Sequence, residues 1–164
     1  SCVLRRAVRK NKGKVIVMND TRVLLEFVYK NAEMGRKTIQ PLSEMTDDEK
    51  FSKELVRIGN DYAEICADAD KLLRENGMDE ASGLNIAEKM MTEVSLRMNT
   101  IKDRSVRHIA DMLIKGGSMG MSDISKKIEE LTNADDKSRS LAKRLLDLNS
   151  SVIDDMKKYL TVAQ

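Results

Sequence analysis

Apolar side chains recur at alternating spacings of four and three residues between positions 51 and 72. They are Phe51, Leu55, Ile58, Tyr62, Ile65, Ala69 and Leu72. Because an α-helix has about 3.6 residues per turn, this spacing places all of them on one face. Thr46 and Glu49 form the pattern of a capping box before the stretch, and Asn76-Gly77 supplies a left-handed stop after it. We therefore predict a helix about 45 Å long, a length typical of helical bundles.

Two further stretches show the same periodicity with clear ends. The first runs from about Asp20 to Gln40 and is expected to end or kink at Pro41, because proline removes a backbone hydrogen-bond donor. The last follows positions 132–136, Thr-Asn-Ala-Asp-Asp, which offer a capping candidate and acidic first-turn residues. Its wide apolar stripe consists of Leu141, Leu145, Leu148, Val152, Met156 and Tyr159. Both stretches are therefore predicted to be helices that bury one face.

The helix predicted between these two is less regular. After a short polar connection at positions 78–83 it should return antiparallel to the second helix, with its stripe running from Ala87 to Met112. Two adjacent glycines follow, and each costs on the order of 1 kcal/mol relative to alanine in a helix interior. We therefore expect a kink or break near Gly116-Gly117. A continuous helix would require another backbone packed against Gly116 and Gly120.

The composition agrees with an all-α protein. Aromatic residues make up 3% of the chain and there is one proline, whereas a β-sandwich or barrel would require more Thr, Tyr, Phe and turn glycines. The abundant straight-chain residues lose little rotamer freedom in a helix. We predict an antiparallel four-helix bundle in a single domain that spans residues 18–164.

Residues 1–17 differ from the rest of the chain in charge. They contain six basic side chains and no acidic one, whereas the remainder carries more acidic than basic residues. Because helical periodicity begins only at Met18, we predict that this basic tail is disordered or a non-native extension, with Met18 as the natural start. The alternative is a basic arm that contacts an anionic partner. The mildly acidic body excludes nucleic acid as a partner unless the tail is native.

Cysteine use and hydropathy indicate a cytoplasmic protein. The two cysteines, Cys2 and Cys66, form neither a disulfide framework nor a Cys-x-x-Cys motif, so we expect reduced thiols. No apolar run approaches the roughly 18 residues that a membrane-spanning helix needs. The apolar residues at positions 15–18 are too few for a signal peptide. We therefore expect neither a membrane span nor a secreted protein.

Three segments together carry a resemblance to a known family. They are LLEFVYKNAEMGRKTI in the first helix, FSKELVRIGNDYAEICADADKLLRENG in the second and HIADMLIKGGSMGMSDISKKIEEL in the third. In order and content they resemble an uncharacterised bacterial family of ferritin-like four-helix proteins, over roughly residues 19–160. The resemblance implies a cytoplasmic ferritin-like bundle from a bacterium, and it implies no particular activity.

Ferritin-like proteins raise the question of a di-iron site, which takes two Glu-x-x-His motifs and two further glutamates. The chain has one histidine, His108, and the residue three positions before it is Ser105, so neither motif is present. His108 lies on the third stripe with Met112 one turn later, and imidazole with thioether suits copper(I). Glu33, beside the first stripe at a position expected to be solvated, is the candidate carboxylate. The alternative is that His108 lies at the edge of the stripe and is hydrogen-bonded to a carboxylate or a helix carbonyl. We expect no cofactor.

Small and flexible residues cluster between Gly116 and Met121. The cluster matches neither a Walker loop nor the GxGxxG fingerprint. Because methionines near glycines form adaptable surfaces, Gly116, Gly120, Met119 and Met121 are the predicted interaction residues. We predict a non-catalytic protein that acts by self-association, as a homodimer, or through a protein partner. The alternative is a metal-handling or redox protein that uses His108 with nearby methionines and carboxylates.

Overall fold

The computed structural model describes residues 2–77, 89 and 92–161, with side chains from residue 12 onwards except at position 17. Five helices occupy this part of the chain, and it contains no β-strand. They are α1 (Cys2–Met45), α2 (Glu49–Glu75), α3 (described over 92–98), α4 (Val106–Glu130) and α5 (Asp136–Leu160). The all-α prediction is therefore confirmed for the described residues.

The first helix, α1, is longer than predicted at both ends. It begins at Cys2, so residues 2–17 are helical where a disordered tail was expected, and it continues through Pro41 to Met45. Pro41 lies near the end of the helix, and Leu42 next to it is fully buried in the core. Burial of this last turn outweighs the backbone hydrogen bond that proline removes. The interpretation of residues 1–17 as a non-native extension stays a prediction.

The N-terminus of α2 is capped by Asp48 and not by Thr46. The backbone N–H of Phe51 donates to Oδ1 of Asp48 at 2.7 Å, whereas the Thr46 hydroxyl accepts from the N–H of Asp48 at 3.3 Å. Both residue types are good caps, but a carboxylate also interacts favourably with the positive end of the helix dipole. At the other end Gly77 has a left-handed φ of +80°, which confirms the predicted stop.

The long helices form two antiparallel hairpins. Near the tip of the first, the Ser52 hydroxyl donates to the Ser43 carbonyl at 2.7 Å, and further along Gly35 of α1 lies against the ring of Tyr62 of α2. The second hairpin consists of α4 and α5, which a short connection at residues 131–135 joins. A connection this short leaves consecutive helices side by side and antiparallel.

The two hairpins pack together so that α2 and α4 run in the same direction. Phe27 of α1 lies 5.8 Å from Nζ of Lys127 in α4, measured to the ring centroid, and Asn31 of α1 lies near Gly120. α4 is therefore antiparallel to α1, as α2 is. The predicted antiparallel return relative to α2 is wrong for α4, and the end of α2 lies at the opposite end of the bundle from the start of α4. The predicted start of the third helix at Ala87 lies outside the described residues.

α4 runs through Gly116 and Gly117 as one helix, so the break that was offered as one alternative is wrong. A Cβ on Gly117 would lie 3.1 Å from Cγ1 of Ile153 and 3.6 Å from the carbonyl oxygen of Asn149. Glycine at this position lets the backbone of α5 approach closely, and the contact compensates for glycine's low helix propensity. A neighbouring backbone does pack against the helix here, but it lies against Gly117 and not against Gly116 or Gly120, the two positions named in the prediction.

The core lies where the four long helices meet. Its fully buried side chains include Leu25, Val28, Phe51, Leu55, Ile109, Ile124, Leu145 and Met156. The predicted stripes of α2 and α5 supply much of it, although Leu72, Leu148 and Tyr159 are only half-buried. Among the described residues, no helix combines the length and the apolar character that crossing a bilayer requires.

Candidate functional site

A cavity of about 330 Å³ opens where side chains of all five helices meet. Its lining includes Met34, Met98, Met112, Met119, Gly117 and Gly120, and we call it the Gly/Met cleft. Its volume is at the small end of the range for ligand-binding pockets, and such pockets are mostly apolar with a few polar groups. The Gly/Met cleft is therefore a candidate binding site.

Three of the four predicted interaction residues, Gly116, Gly120 and Met119, line the Gly/Met cleft. Met121 is half-buried on α4 and does not belong to the lining. The local sequence identified this segment of α4 but not the polar side chains of α2 and α5 opposite it. Only the packing of helices that are distant in sequence brings those side chains here.

The floor of the Gly/Met cleft is polar. The Tyr62 hydroxyl donates to Oδ1 of Asn149, and both side chains are buried. The amide nitrogen Nδ2 of Asn149 has no hydrogen-bond partner within the part of the chain that the structure describes. An unsatisfied buried donor costs about 1–3 kcal/mol, so an acceptor from outside the chain would remove this penalty.

Replacing Gly35→Ala is expected to lower the free energy of unfolding by about 1–2 kcal/mol, because overpacking displaces buried neighbours. A Cβ there would lie 2.9 to 3.0 Å from three ring atoms of Tyr62, whose hydroxyl is held by Asn149. Gly59→Ala is the matched control on the facing helix. A Cβ on Gly59 would meet only Ile39, at 3.5 Å. This variant should therefore raise the free energy of unfolding by about 0.5–1 kcal/mol. Urea unfolding followed by circular dichroism measures both, and a stabilised Gly35→Ala variant would contradict the close packing.

The three candidate metal ligands lie at three different places. His108 is half-buried near the start of α4, whose N-cap is Ser105. Nδ1 of His108 lies 4.0 Å from a carboxylate oxygen of Asp103. Met112 lines the Gly/Met cleft, and Glu33 lies between α1 and α2. Within the described ranges, no three His, Cys, Asp or Glu side chains are grouped so as to hold a metal ion. The position of His108 corresponds to the alternative interpretation, a histidine at the helix edge beside a carboxylate.

Glu33 is 5% exposed, so the solvated position predicted for it is wrong. Arg36 donates to both carboxylate oxygens, from Nε at 2.9 Å and from Nη2 at 2.6 Å. Nζ of Lys37 lies 3.4 Å from the same carboxylate, and the Cys66 thiol of α2 donates to it at 3.3 Å. A charge can be buried when it is paired and hydrogen-bonded in this way. Helical periodicity missed the site because Cys66 reaches it from another helix.

The surroundings of the Glu33 carboxylate and the Cys66 thiol shift the pKa of each group. Burial acts to raise the pKa of Glu33, but the hydrogen bond and charge of Arg36, with Cys66 and Lys37, lower it below its usual value. Burial and the charge of Glu33 raise the pKa of the Cys66 thiol. Because the thiol form is a weak nucleophile, the arrangement favours a structural role in which Cys66 joins α2 to α1.

Comparison of the chain with models of protein families, with curated proteins and with solved structures finds no match in any of the three. The resemblance to ferritin-like proteins therefore stays a hypothesis. The function has to be inferred from the Gly/Met cleft and from the surface beside it.

Proposed function

We propose that the protein is a four-helix bundle with ferritin-like topology. The support is the order and direction of the long helices, with hairpins α1–α2 and α4–α5 and with α2 parallel to α4. The end of α2 and the start of α4 then lie at opposite ends of the bundle, so the chain crosses the length of the bundle once between them, and a single long crossover is typical of ferritin-like folds. Because the chain has one histidine, the paired Glu-x-x-His motifs of a di-iron centre are excluded. We therefore propose a use of the bundle that does not depend on them.

We propose that this bundle acts by association, without chemistry of its own, and forms a homodimer through the surface around Met119. Met119 on α4 is 69% exposed, and this exposure is the observation that carries the proposal. Leu96 on α3 is 65% exposed, and its neighbours Arg97 and Met98 share the lining of the Gly/Met cleft with Met119. Gly116 lies almost one turn before Met119, and a Cβ on it would meet nothing within 4 Å.

A surface of this composition is suited to association. The methionine side chain is flexible and polarisable, so it adapts to an opposing surface, and an exposed glycine beside it lets a second backbone come near. Exposed apolar side chains that lie together on one surface mark contact sites more often than scattered ones do. In a dimer with twofold symmetry the same patch meets itself, so Met119 of one copy would face the Met119 surface of the other.

Size-exclusion chromatography with light scattering over a concentration series tests the homodimer. We expect a dimer that Met119→Glu or Leu96→Glu dissociates, with the dissociation constant raised at least about tenfold, because like charges then face each other across the twofold axis. Val56→Glu is the matched control. Val56 is 50% exposed on α2 and lies outside the cleft lining, so the dimer should persist. A wild-type protein that is monomeric at every concentration, or a Val56→Glu variant that dissociates equally, would overturn the proposal.

A further inference from the structure

The floor of the Gly/Met cleft holds a buried donor that self-association leaves unused. We propose that the cleft binds a small neutral molecule with an apolar body and a carbonyl oxygen, and that Nδ2 of Asn149 donates to that oxygen. Asn149 is 2% exposed and lines the cavity. Its Nδ2 has no hydrogen-bond partner among the residues described, although buried amides are normally satisfied.

The hydrogen bond with Tyr62 decides which end of the amide is free. The Tyr62 hydroxyl donates its proton to Oδ1 of Asn149. If the amide were turned over, Nδ2 would donate to the Tyr62 oxygen, and the phenolic proton would then need another acceptor. The orientation that satisfies Tyr62 therefore leaves the two N–H groups of Nδ2 without an acceptor among the described residues, and a bound molecule can supply one.

Gly120 is the residue of α4 that lies against this donor. A Cβ on Gly120 would lie 3.0 Å from Nδ2 of Asn149 and 3.5 Å from Oδ1 of Asn31. Any side chain at this position would therefore crowd the amide that we propose as the donor. Because Gly120 lies within α4 and has no positive φ, space and not backbone conformation is the reason for glycine.

The rest of the lining defines the charge of the ligand. The walls are apolar and include Ile39, Leu42, Met98, Met112, Leu113 and Val152. Asn31, Thr38 and Tyr62 are uncharged, and burial raises the pKa of Tyr62 so that its phenol stays neutral. The charged lining residues, Arg97 and Asp123, have opposite signs and are exposed. A carboxylate buried without a paired cation is strongly disfavoured, so the cleft fits a ketone, ester or amide better than an acid.

Acetophenone is a suitable probe, because a phenyl ring with a ketone fits a cavity of about 330 Å³. Titration of the isotope-labelled protein, followed by NMR, compares acetophenone with ethylbenzene, which lacks the acceptor, and with benzoate, which is an anion. We expect saturable binding of acetophenone that shifts the side-chain amide resonances of Asn149. Ethylbenzene and benzoate should bind at least about fivefold more weakly, since neither offers a neutral acceptor to Nδ2. Equal binding of acetophenone and ethylbenzene, or no saturable shift, overturns the proposal.

Two variants test the donor independently. Asn149→Leu should lower the affinity for acetophenone to that for ethylbenzene. Gly120→Ala keeps the amide but places a methyl group 3.0 Å from Nδ2. It should weaken the binding of acetophenone at least about fivefold, so the proposal stays testable if Asn149→Leu does not fold. Asn60→Leu, at an exposed position on α2, is the control and should bind like the wild type. Unchanged binding in both cleft variants overturns the proposal, and light scattering of the same samples reports the homodimer separately.

Discussion

Replacing Phe51→Ala is expected to lower the free energy of unfolding by about 3–5 kcal/mol. Phe51 is fully buried in the first turn of α2. Its ring centroid lies 4.7 Å from that of Tyr159 in α5, with the planes tilted by 56°. Truncation therefore removes apolar contacts between the start of α2 and the end of α5, and it leaves a cavity that close-packed neighbours fill only in part.

Phe27→Ala is the matched control for this loss, because Phe27 is the other of the two phenylalanines. It is half-buried on α1, so its truncation should cost about 1–2 kcal/mol. Urea unfolding followed by circular dichroism gives both values. The contact of Phe51 should not depend on pH near neutrality, because burial and Glu54 raise the pKa of Tyr159 to about 12. Equal losses in the two variants would contradict the placement of Phe51 in the core.

Replacing Glu33→Gln is expected to lower the free energy of unfolding by about 1.5–3 kcal/mol at neutral pH, because charge-assisted hydrogen bonds are lost. Burial alone would raise the pKa of Glu33, but Arg36, Cys66 and Lys37 lower it below the usual value of 4.5. A carboxylate with a lowered folded-state pKa contributes stability that is present above the unfolded pKa and lost as the pH falls through the folded one. The difference between the wild type and the variant should be steady above about pH 6 and shrink below about pH 4.5.

Glu26→Gln is the control for the Glu33 experiment. Glu26 lies on the same helix, has a side chain that is 38% exposed, and pairs with Nε of Arg22 at 3.3 Å. An exposed pair of this spacing contributes about 0.3–0.5 kcal/mol, so its removal should change stability little at any pH. Urea unfolding at a series of pH values between about 3 and 8 measures both variants. A difference for Glu33→Gln that stays constant down to the lowest pH would show that the folded chain does not stabilise the carboxylate.

Much of α2 and α5 could be predicted from the sequence because the signals are local. Seven apolar side chains at alternating spacings share one face only in a helix, and Gly77 ends α2 because a left-handed residue is needed there. α5 begins at Asp136, directly after Asp135, whose side chain accepts from the N–H of Ser138. Each of these features depends on residues within about one turn of each other.

The candidate site could be predicted only in part. The composition of the segment around Gly116, Gly120 and Met119 indicated a surface for binding, and these residues line the cleft. Asn149 and Tyr62 gave no such signal, since one is a single polar residue in α5 and the other belongs to the apolar stripe of α2. Their hydrogen bond joins helices that are far apart in the chain, so no local pattern predicts it.

By itself, the sequence determined that the chain is helical and which face of α2 and of α5 is buried, because periodicity and capping depend on residues a few turns apart. Tertiary structure decided the continuity of α4, the burial of Glu33 and the direction of α4 relative to α2. In each case contacts with another helix contribute free energy that no single helix contains. The backbone of α5 packs against Gly117 and compensates for the low helix propensity of that residue. Cys66 of α2 completes the set of hydrogen bonds that replaces the hydration of the Glu33 carboxylate. The packing of the two hairpins sets the direction of α4.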